Sequence, residues 1–472
     1  MNDIFWKLPR KSNPLSLVGT TTQKKEERRL EYRLITHFVV FALLTILMGK
    51  YWFADSASLF LYSYGIVVTL VILTTFFFAF VLYKDPYELA IRNLEAFRPE
   101  PLVSCMVAVK DEEDVIERCI LSFINQTYKN RKIIFVNDGS ADGTGKILDE
   151  YSRGGAIQVI HLAKNVGKKK ALSEAMRIAR GSIFVFSDSD SVIAADAIEK
   201  IVAIFNVFPE IGAVSGHCRA MNGNKNLLTR VQDSWYEGQF SIRKAFESVF
   251  GAVTCVSGPL AVFRREAVYN FIPAWENDTS LGQEFKSATD RTLTGFVLGS
   301  KAIGGRLKKK YADSPFVKDC DYPLNDWKIV YCKAAKAWTN VPDTFSKVIK
   351  QQARWKKSFI RNMFFTGAFY WRKPLIPALN YYLHILFVLA GPFITFRHLI
   401  YLPLRGNLNA AILYIAGIVF IGFMFGLAYK LENRDCHKWM YRPLMSLLST
   451  LILSWLIFYS ALTIKKMIWY RG

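Results

Sequence analysis

Two aspartates one residue apart, Asp188 and Asp190, follow the short apolar run Ile183–Phe186. Carboxylates on one short turn repel each other unless a cation lies between them, and their oxygens are the ligands that Mg²⁺ and Mn²⁺ prefer. Mg²⁺ takes few protein carboxylates and completes its shell with water and phosphate oxygens. The turn therefore predicts a Mg²⁺ or Mn²⁺ site that bridges a nucleotide diphosphate, and a helix N-cap is the alternative interpretation.

Two further polar turns follow apolar runs earlier in the sequence. Asp138 comes after Lys132–Val136, at the carboxyl end of a predicted strand, where open α/β sheets bind nucleotides and a carboxylate can accept a hydrogen bond from a base. Three lysines, Lys168–Lys170, open a predicted helix, whose N–H groups and ammonium groups together suit a diphosphate. An Asp-Gly turn and a solvated basic turn are the alternative interpretations.

These turns need a scaffold that brings strand ends to one edge, and the hydrophobic pattern predicts one. From about residue 85 to 372, apolar runs alternate with helical patterns in a region of ordinary soluble composition. This alternation indicates an α/β fold with a mainly parallel sheet. The predicted strands are Val103–Val109, Lys132–Val136, Ile157–Leu162, Ile183–Ser187 and Ile211–Ser215. The predicted helices are Asp114–Asn125, Lys168–Arg180 and Ala195–Phe208.

The composition indicates a membrane protein. Hydrophobic residues make up 51% of the 472 residues, and the formal net charge is +22. Soluble nucleic-acid-binding domains share such a charge but lack long apolar runs, so no nucleic-acid partner is expected. The seven cysteines are scattered without paired C-x-x-C spacing, which fits free thiols in a reducing cytosol.

Two apolar stretches before the α/β region, Leu34–Phe53 and Leu59–Tyr83, are each long enough to cross a bilayer. Basic residues flank this pair on both outer sides, while Lys50 is the only Lys or Arg between those flanks. The positive-inside rule then places both flanks in the cytoplasm. Residues 1–33 are polar and basic, which predicts a cytoplasmic lead-in and not a signal peptide.

Three more apolar stretches follow the α/β region, at Leu375–Phe396, Leu408–Tyr429 and Tyr441–Ile464. Three complete spans would place the basic tail outside, so either the last stretch is broken or re-entrant, or the charge rule fails here. Before them, Ser346–Arg361 alternates apolar with basic residues. This run predicts an amphipathic helix that lies in the membrane interface with its lysines towards acidic headgroups.

The chain is therefore predicted to have five parts. They are a basic cytoplasmic N-terminus (1–33), two transmembrane helices (34–83), a cytosolic α/β domain (84–343), interface helices (344–372) and a C-terminal membrane region of about three or four segments (373–472). We expect a multi-pass protein of the cell membrane with the lipid bilayer as a partner and its α/β domain in the cytoplasm. Its oligomeric state is not predicted.

Six motifs follow one another along the chain: Asn137–Ser140, Gly167 and Lys168 with Ala171, Asp188–Asp190, Val256–Leu260 with Phe263–Arg265, Thr289–Thr294 and Gln351–Trp355. Their order resembles that of family 2 glycosyltransferases. The residues within the motifs are most similar to the processive membrane branch, namely hyaluronan synthases and chitin-oligosaccharide synthases, and the motifs cover about Val103 to Arg361. The resemblance implies a GT-A domain that moves sugar from a UDP-sugar to a saccharide acceptor or polymer with Mg²⁺ or Mn²⁺.

The resemblance implies a role for each matched residue. Asp138 would contact the uracil, and Lys168 would lie near the diphosphate. Asp188 would hold the ribose or phosphate, and Asp190 the metal. Asp290 would be the general base that takes the proton from the acceptor hydroxyl, which gives inversion at the anomeric carbon.

The resemblance also implies an acceptor end. Arginine in the Q-x-x-R-W motif can hold the diphosphate, and its tryptophan offers an indole face to the acceptor. The alternative interpretations are a local ion pair for Asp290 and Arg291 and an ordinary interface contact for Arg354 and Trp355. The catalytic residues there would be Arg291, Gln351, Arg354 and Trp355. The floor beneath the terminal sugar would be Cys255, Ser257 and Gly258.

The sequence departs from the family pattern in three places. Ala108, Lys110 and Glu112 stand where relatives often have an aromatic residue followed by Asn or Arg, so a backbone contact to the uracil is expected here instead of ring stacking. Thr289 replaces an acidic residue before the base, which changes the charge around it and leaves the sugar preference open. The basic stretch between Leu298 and Trp327 is longer than expected, and either a solvated loop or a lipid-headgroup or phosphate contact would explain it.

Three functions fit these observations. The leading hypothesis is a processive synthase that makes and exports a hyaluronan-like or other GlcNAc-containing polymer. The alternative is a non-processive transferase that adds a single sugar to a lipid-linked acceptor. A transport or scaffold protein with an inactive transferase fold is the third.

Overall fold

The computed structural model describes residues 59–93, 100–433 and 436–466. The basic segment 1–33 and the predicted span Leu34–Phe53 lie outside these residues. Within them, the strands are β1 (Val103–Val109), β2 (Arg131–Asn137), β3 (Gln158–His161), β4 (Ile183–Phe186), β5 (Val192–Ile193), β6 (Ile211–Ala220), β7 (Ala261–Arg264), β8 (Thr279–Ser280), β9 (Gln283–Glu284) and β10 (Lys328–Thr339).

Helices surround the sheet and make up the membrane region. They are α1 (Leu59–Phe77), α2 (Pro86–Arg92), α3 (Ile116–Ile124), α4 (Thr144–Arg153), α5 (Lys168–Ile178), α6 (Ala197–Val207), α7 (Leu227–Gly238), α8 (Ala245–Val249), α9 (Arg265–Val268), α10 (Ile272–Glu276), α11 (Thr289–Leu298), α12 (Ser300–Lys310), α13 (Pro315–Lys318), α14 (Phe345–Phe365), α15 (Gly367–Tyr370), α16 (Leu375–Phe396), α17 (Leu402–Leu404), α18 (Leu408–Glu432), α19 (Arg442–Leu451) and α20 (Leu456–Leu462). Short π-helical segments occur at Phe78–Leu82, Gln239–Lys244 and Arg397–Tyr401.

The larger sheet has the order β3-β2-β1-β4-β7-β6-β10-β5. β1 runs parallel to β2 and β4, and β6 runs parallel to β10, whereas β7 is antiparallel to both of its neighbours. The predicted α/β fold with a mainly parallel sheet is confirmed. The predicted strands correspond to β1, β2, β3, β4 and β6. The long strand β10 was not predicted from the sequence, because Lys333 and Lys336 interrupt its apolar pattern.

Helices cover both faces of this sheet. Met106 and Ala108 of β1 belong to one buried cluster, and Cys105 and Val107 to the other, as the alternation of side chains along a strand requires. A strand that is buried on both faces is apolar at every position, which explains the continuous apolar run of β1. The polar residues that follow β2 and β4 consequently lie at the sheet edge and not within the core.

Three helices in the described part of the chain are long and apolar enough to cross a membrane, at Tyr64–Arg92, Leu375–Leu404 and Leu408–Leu431. The last predicted stretch forms two shorter helices, Lys438–Leu451 and Leu453–Leu462, bent by 42°. This stretch is therefore broken, which is one of the two alternatives that the charge distribution left open. If the bent pair counts as one span, the described residues provide four.

A buried polar cluster joins α18 to the α/β domain. Arg219 of β6 donates hydrogen bonds to Asp233 at 3.0 Å, to Tyr429 at 2.8 Å and to Asn433 at 2.7 Å. Lys438 also donates to Asp233, at 2.8 Å. Although burial opposes the charge of Asp233, these two cations hold its pKa below the usual range. Charge-assisted hydrogen bonds thus fix the membrane helix against the domain.

The basic stretch between Leu298 and Trp327 is not the solvated loop that one interpretation expected. It begins with α12, which Ala, Leu, Lys and Arg favour by their helix propensity. A Cβ at Gly304 would lie 2.5 Å from Leu324, so the segment folds back closely on itself. Asp326 pairs with Lys373 at 2.7 Å, just before α16 begins. The stretch therefore packs beside the start of a membrane helix.

Candidate active site

A cavity of about 160 Å³ lies at the carboxyl end of β4. Its wall combines the start of α5, the turn after β4, the segment before β7, the start of α11 and the middle of α14. Residues that are far apart in sequence therefore meet in one place. Those predicted to belong to the site that line this cavity are Lys168, Asp188, Gly258, Asp290, Arg354 and Trp355.

Among the residues that the structure describes, Lys168, the first residue of α5, is one of two cations that line this cavity, and Arg354 is the other. The Nζ of Lys168 forms an ion pair with Oδ1 of Asp188. Although burial opposes its charge, the carboxylates of Asp188, Asp290 and Asp190 raise the pKa of Lys168. Lys168 is therefore charged, and it lies at a helix N-terminus, where backbone N–H groups also favour an anion.

The expectation that all three lysines of this turn share one anion site is wrong. Lys169 points into the interior, where its Nζ lies 2.8 Å from both Asp278 and the carbonyl oxygen of Phe285. Lys170 pairs instead with Glu284 at 2.8 Å. Successive helical residues are turned by about 100°, so three consecutive side chains cannot face one ligand. Only Lys168 lines the cavity.

Asp190 lies beside the cavity and is not part of its lining. Its Oδ1 is 3.3 Å from the hydroxyls of Ser191 and Thr339. Burial and the neighbouring charge of Asp188 raise the pKa of Asp190 to about 6. The two neighbouring carboxylates of Asp188 and Asp190 form a donor set that fits a divalent cation.

The protein itself offers few further ligands for such a cation. Over residues 59–93, 100–433 and 436–466, no group of three or more His, Cys, Asp or Glu side chains is arranged to hold a metal. A cation held by Asp188 and Asp190 would complete its shell with water and phosphate oxygens, as Mg²⁺ commonly does. The residues present therefore fit a metal that arrives with a diphosphate.

Asp290 lies in the first turn of α11, two residues after Ala288, which caps the helix with a positive φ of 60°. Its Oδ2 accepts a hydrogen bond from the backbone N–H of Gly258 at 3.1 Å, and the thiol of Cys255 lies 3.7 Å away. Its Oδ1 accepts from the N–H of Arg291 at 2.8 Å. These contacts orient the carboxylate and leave lone pairs available to an incoming hydroxyl.

The Q-x-x-R-W motif lies on α14, the predicted amphipathic helix. Arg354 and Trp355 line the cavity, and the indole of Trp355 stacks on Trp235 with centroids 5.8 Å apart and planes 23° apart. Gln351 lies one turn earlier on the helix and does not line the cavity. Its proposed catalytic role stays a prediction.

Arg291 lines a second, smaller cavity of about 20 Å³. Arg243, Tyr381 and His384 also line this second cavity, which lies between the α/β domain and α16. Because consecutive residues of a helix face different directions, Asp290 and Arg291 line different cavities. The role of Arg291 in catalysis stays a prediction.

The residues predicted to contact the uracil lie at the neighbouring strand ends. Asp138 is buried, and its two oxygens accept hydrogen bonds from the N–H groups of Val166 at 2.7 Å and Gly167 at 3.0 Å. Burial raises the pKa of Asp138, and these N–H groups oppose that rise. Asp138 thus fixes the loop that leads into Lys168, whether or not it also accepts from a ligand.

Ala108, Lys110 and Glu112 lie at the end of β1, beside the turn that carries Asp138. Lys110 donates to the carbonyl oxygen of Gly139 at 3.0 Å, while Ala108 is buried within the strand. The backbone N–H of Glu112 donates to Thr144 at 2.8 Å. None of these three lines the cavity at β4. They form the adjacent part of the same sheet edge, because β1 is the direct neighbour of β4 in the sheet.

Sequence reasoning missed three residues of the site. Trp275 lines the cavity and donates through Nε1 to the carbonyl oxygen of Thr289 at 2.8 Å. Trp235 supports Trp355, and Lys244 lies beneath the floor segment next to Ser257. The only available signal was a lysine within the largely apolar run 240–253. The tryptophans carried no signal, because either could be an ordinary core residue.

The sheet and the helices that cover it form a GT-A-like fold. Residues 104–271 match the glycosyl transferase family 2 domain. The architecture is similar to that of the mannosyltransferase PcManGT from Pyrobaculum calidifontis, solved in complex with GDP-Man and Mn²⁺, with a TM-score of 0.50 and 15% sequence identity. That likeness covers 91% of this chain and 99% of the mannosyltransferase.

The chain is also similar to two curated glycosyltransferases. The chain is 25% identical over 371 residues to hyaluronan synthase of Streptococcus pyogenes, which covers 76% of this chain and 80% of the relative. It is 30% identical over 291 residues to an N-acetylglucosaminyltransferase of Rhizobium meliloti, which covers 60% and 62%. This protein is a membrane glycosyltransferase whose residues 104–271 match the family 2 domain, and it is similar to both relatives.

Proposed function

We propose that this protein is a processive synthase that transfers sugars from UDP-sugars to a growing GlcNAc-containing, hyaluronan-like polymer and exports the product. One observation carries the proposal: Lys168, Asp188 and Asp290 share a cavity with Trp355 of the interface helix. A donor-binding group, a base and an acceptor-facing indole thus lie together beside the membrane region. The names of the curated relatives support a donor that contains N-acetylglucosamine.

The donor would lie along the sheet edge. Its uracil would contact the β1–β2 end near Asp138, and its diphosphate would reach Lys168 and Asp188. Asp188 and Asp190 would hold a Mg²⁺ or Mn²⁺ ion, which neutralises the charge that develops on the departing UDP. Arg354 lines the same cavity and adds a positive charge on the side of α14.

The acceptor sugar would rest on the floor formed by Cys255, Ser257 and Gly258, against the indole of Trp355. Asp290 takes the proton from the acceptor hydroxyl as that oxygen bonds to the anomeric carbon and the bond to UDP breaks. Attack from the face opposite the leaving group gives inversion. The N–H of Gly258 holds Asp290 in position for this step.

The membrane arrangement is part of the same proposal. Residues 84–343 would form the cytoplasmic catalytic domain, 344–372 would lie in the interface, and the segments 34–83 and 373–472 would cross the cell membrane several times. The contact between Asp326 and Lys373 supports a domain that rests on the start of α16. The polymer would leave past Trp355 towards the membrane helices.

A panel of UDP-sugars with the purified protein in lipid tests the proposal. We expect UDP release and long products with UDP-GlcNAc, alone or together with UDP-GlcA, and no activity after chelation of divalent cations until Mg²⁺ or Mn²⁺ is restored. UDP release and product size are measured together. Products that carry a single added sugar would support transfer to a lipid-linked acceptor and contradict processive synthesis.

Gly258→Ala should lower the rate of sugar transfer by at least about 10-fold, because a 1 Å displacement of reacting groups is that costly. A Cβ at this position would lie 2.7 Å from Oδ2 of Asp188, so the carboxylate must move. Gly305→Ala is the matched control, since no atom lies within 4 Å of its added Cβ on α12. Initial rates of UDP release compare the two, and equal rates would show that Asp188 tolerates displacement.

A further inference from the structure

Lys244 is a buried lysine beneath the floor of the cavity. It ends the π-helical segment Gln239–Lys244 and is 8% exposed. Its Nζ donates hydrogen bonds to Oγ of Ser215, at 2.8 Å, and to Oγ of Ser257, and it lies 4.4 Å from the ring centroid of Phe240. π-Helical segments inside longer helices frequently mark functional sites.

The charge of Lys244 has no direct counter-ion. In the part of the chain that the structure describes, no carboxylate lies within 4.0 Å of its Nζ. Burial lowers the pKa of Lys244, and Cys255, Asp290 and Glu247 act in the opposite direction. A buried ammonium is costly unless it is compensated, so a purely structural link between two hydroxyls would not require one.

The floor segment connects Lys244 to the base. Ser257 accepts from Lys244 through its hydroxyl, and its own N–H lies 3.3 Å from Ser215. The next N–H, that of Gly258, donates to Asp290 at 3.1 Å. On the other side, the N–H of Val256 donates to Thr294 of α11 at 2.9 Å. The floor is therefore held between Lys244 and the helix that carries Asp290.

We propose that Lys244 is a positioning residue for the transfer reaction, because it fixes the Ser257–Gly258 turn that orients Asp290. The inference rests on the proposed role of Asp290 as the base. Lys244 acts from behind the floor and does not line the cavity.

Lys244→Met tests the proposal, with Lys244→Arg as the conservative variant. We expect Lys244→Met to lower kcat by about 10- to 100-fold, through misplacement of the base and the floor. Lys244→Arg should restore most of the rate. UDP affinity without acceptor should change less than about twofold, because Lys168 and Asp188 are untouched.

Lys200→Met is the control for removal of a partly buried lysine, since Lys200 pairs with Asp196 on α6, away from the floor. We expect its kcat to match that of the parent protein. Ser257→Ala keeps the charge of Lys244 but removes the hydroxyl that links it to the floor, so kcat should fall in this variant too. This second variant keeps the proposal testable if Lys244→Met does not fold.

Two outcomes overturn the proposal. One is a Lys244→Met protein with unchanged kcat, and the other is a fall in kcat that Lys244→Arg does not restore. The transfer rates of the parent protein and of Asp290→Asn distinguish failure of the proposed function from failure of this inference. If the parent transfers sugar and Asp290→Asn does so equally fast, Asp290 is not the base, whatever Lys244 does.

Discussion

Asp290→Asn should lower the rate of sugar transfer by about 10²- to 10⁴-fold, which is the usual contribution of a general base. Asparagine has nearly the same shape and can still accept the hydrogen bond from Gly258, but it cannot take a proton from the acceptor. UDP binding should be retained because Lys168 and Asp188 are unchanged. Initial rates of UDP release and polymer formation at saturating donor measure the loss, and calorimetry measures UDP affinity.

The matched control for this substitution is Asp313→Asn. Asp313 is exposed after α12 and lies outside both cavities, so its rate should equal that of the parent protein. An Asp290→Asn protein that is folded, binds UDP and keeps more than about a tenth of the parental rate would contradict the assignment of the base.

Asp278→Asn should destabilise the folded protein by about 3–5 kcal/mol, because it leaves two buried cations without their counter-ion. Asp278 pairs with Lys169 at 2.8 Å and also with Arg361, and all three side chains are at most 8% exposed. The midpoint of thermal unfolding in detergent, at one fixed scan rate, should fall by about 10 °C or more. Activity should fall too, since this trio ties α5 and α14 to the segment that leads into Asp290.

The neighbouring ion pair provides the control. Lys170 pairs with Glu284 at 2.8 Å on the same hairpin, but the two side chains are 42% and 40% exposed. Glu284→Gln should therefore change stability by less than about 1 kcal/mol, as exposed ion pairs usually do. Equal shifts of the unfolding midpoint for Asp278→Asn and Glu284→Gln would mean that the burial of Asp278, Lys169 and Arg361 does not increase their contribution to stability.

The strand ends could be predicted from the sequence because each is marked locally. A continuous apolar run predicts a strand buried on both faces, and the first polar residue after it marks the sheet edge. This reasoning located Asp138 after β2 and Asp188 after β4. The order of the family motifs then added Asp290 and Trp355, which no local pattern would have joined to the same cavity.

The direction of individual side chains could not be predicted in the same way. Lys168, Lys169 and Lys170 are identical in type and adjacent in sequence, yet one faces the cavity, one is buried and one is exposed. The difference depends on Asp278, 109 residues further along the chain. Contacts at such a separation leave no trace in local periodicity, and the same is true of the link between Lys244 and Ser257.

The bounds of an apolar stretch agreed with those of a helix where the length of the stretch alone was enough to predict it. α16 has the predicted bounds Leu375–Phe396, because an uninterrupted apolar stretch of this length predicts one helix. Tyr441–Ile464 was ambiguous, and the chain there bends by 42° near Ile452. Apolar length does not distinguish one straight helix from two helices that meet at an angle.

The central claim is that a nucleotide sugar binds at the β4 edge with Asp290 facing its reactive carbon. An experimental structure of the protein with UDP-GlcNAc and Mn²⁺ bound, in lipid, tests it most directly. We predict the diphosphate beside Lys168 and Asp188, the uracil near Asp138, and the sugar in the cavity between Asp290 and Trp355. A nucleotide bound elsewhere, or a sugar on the far side of the sheet from Asp290, would contradict the account.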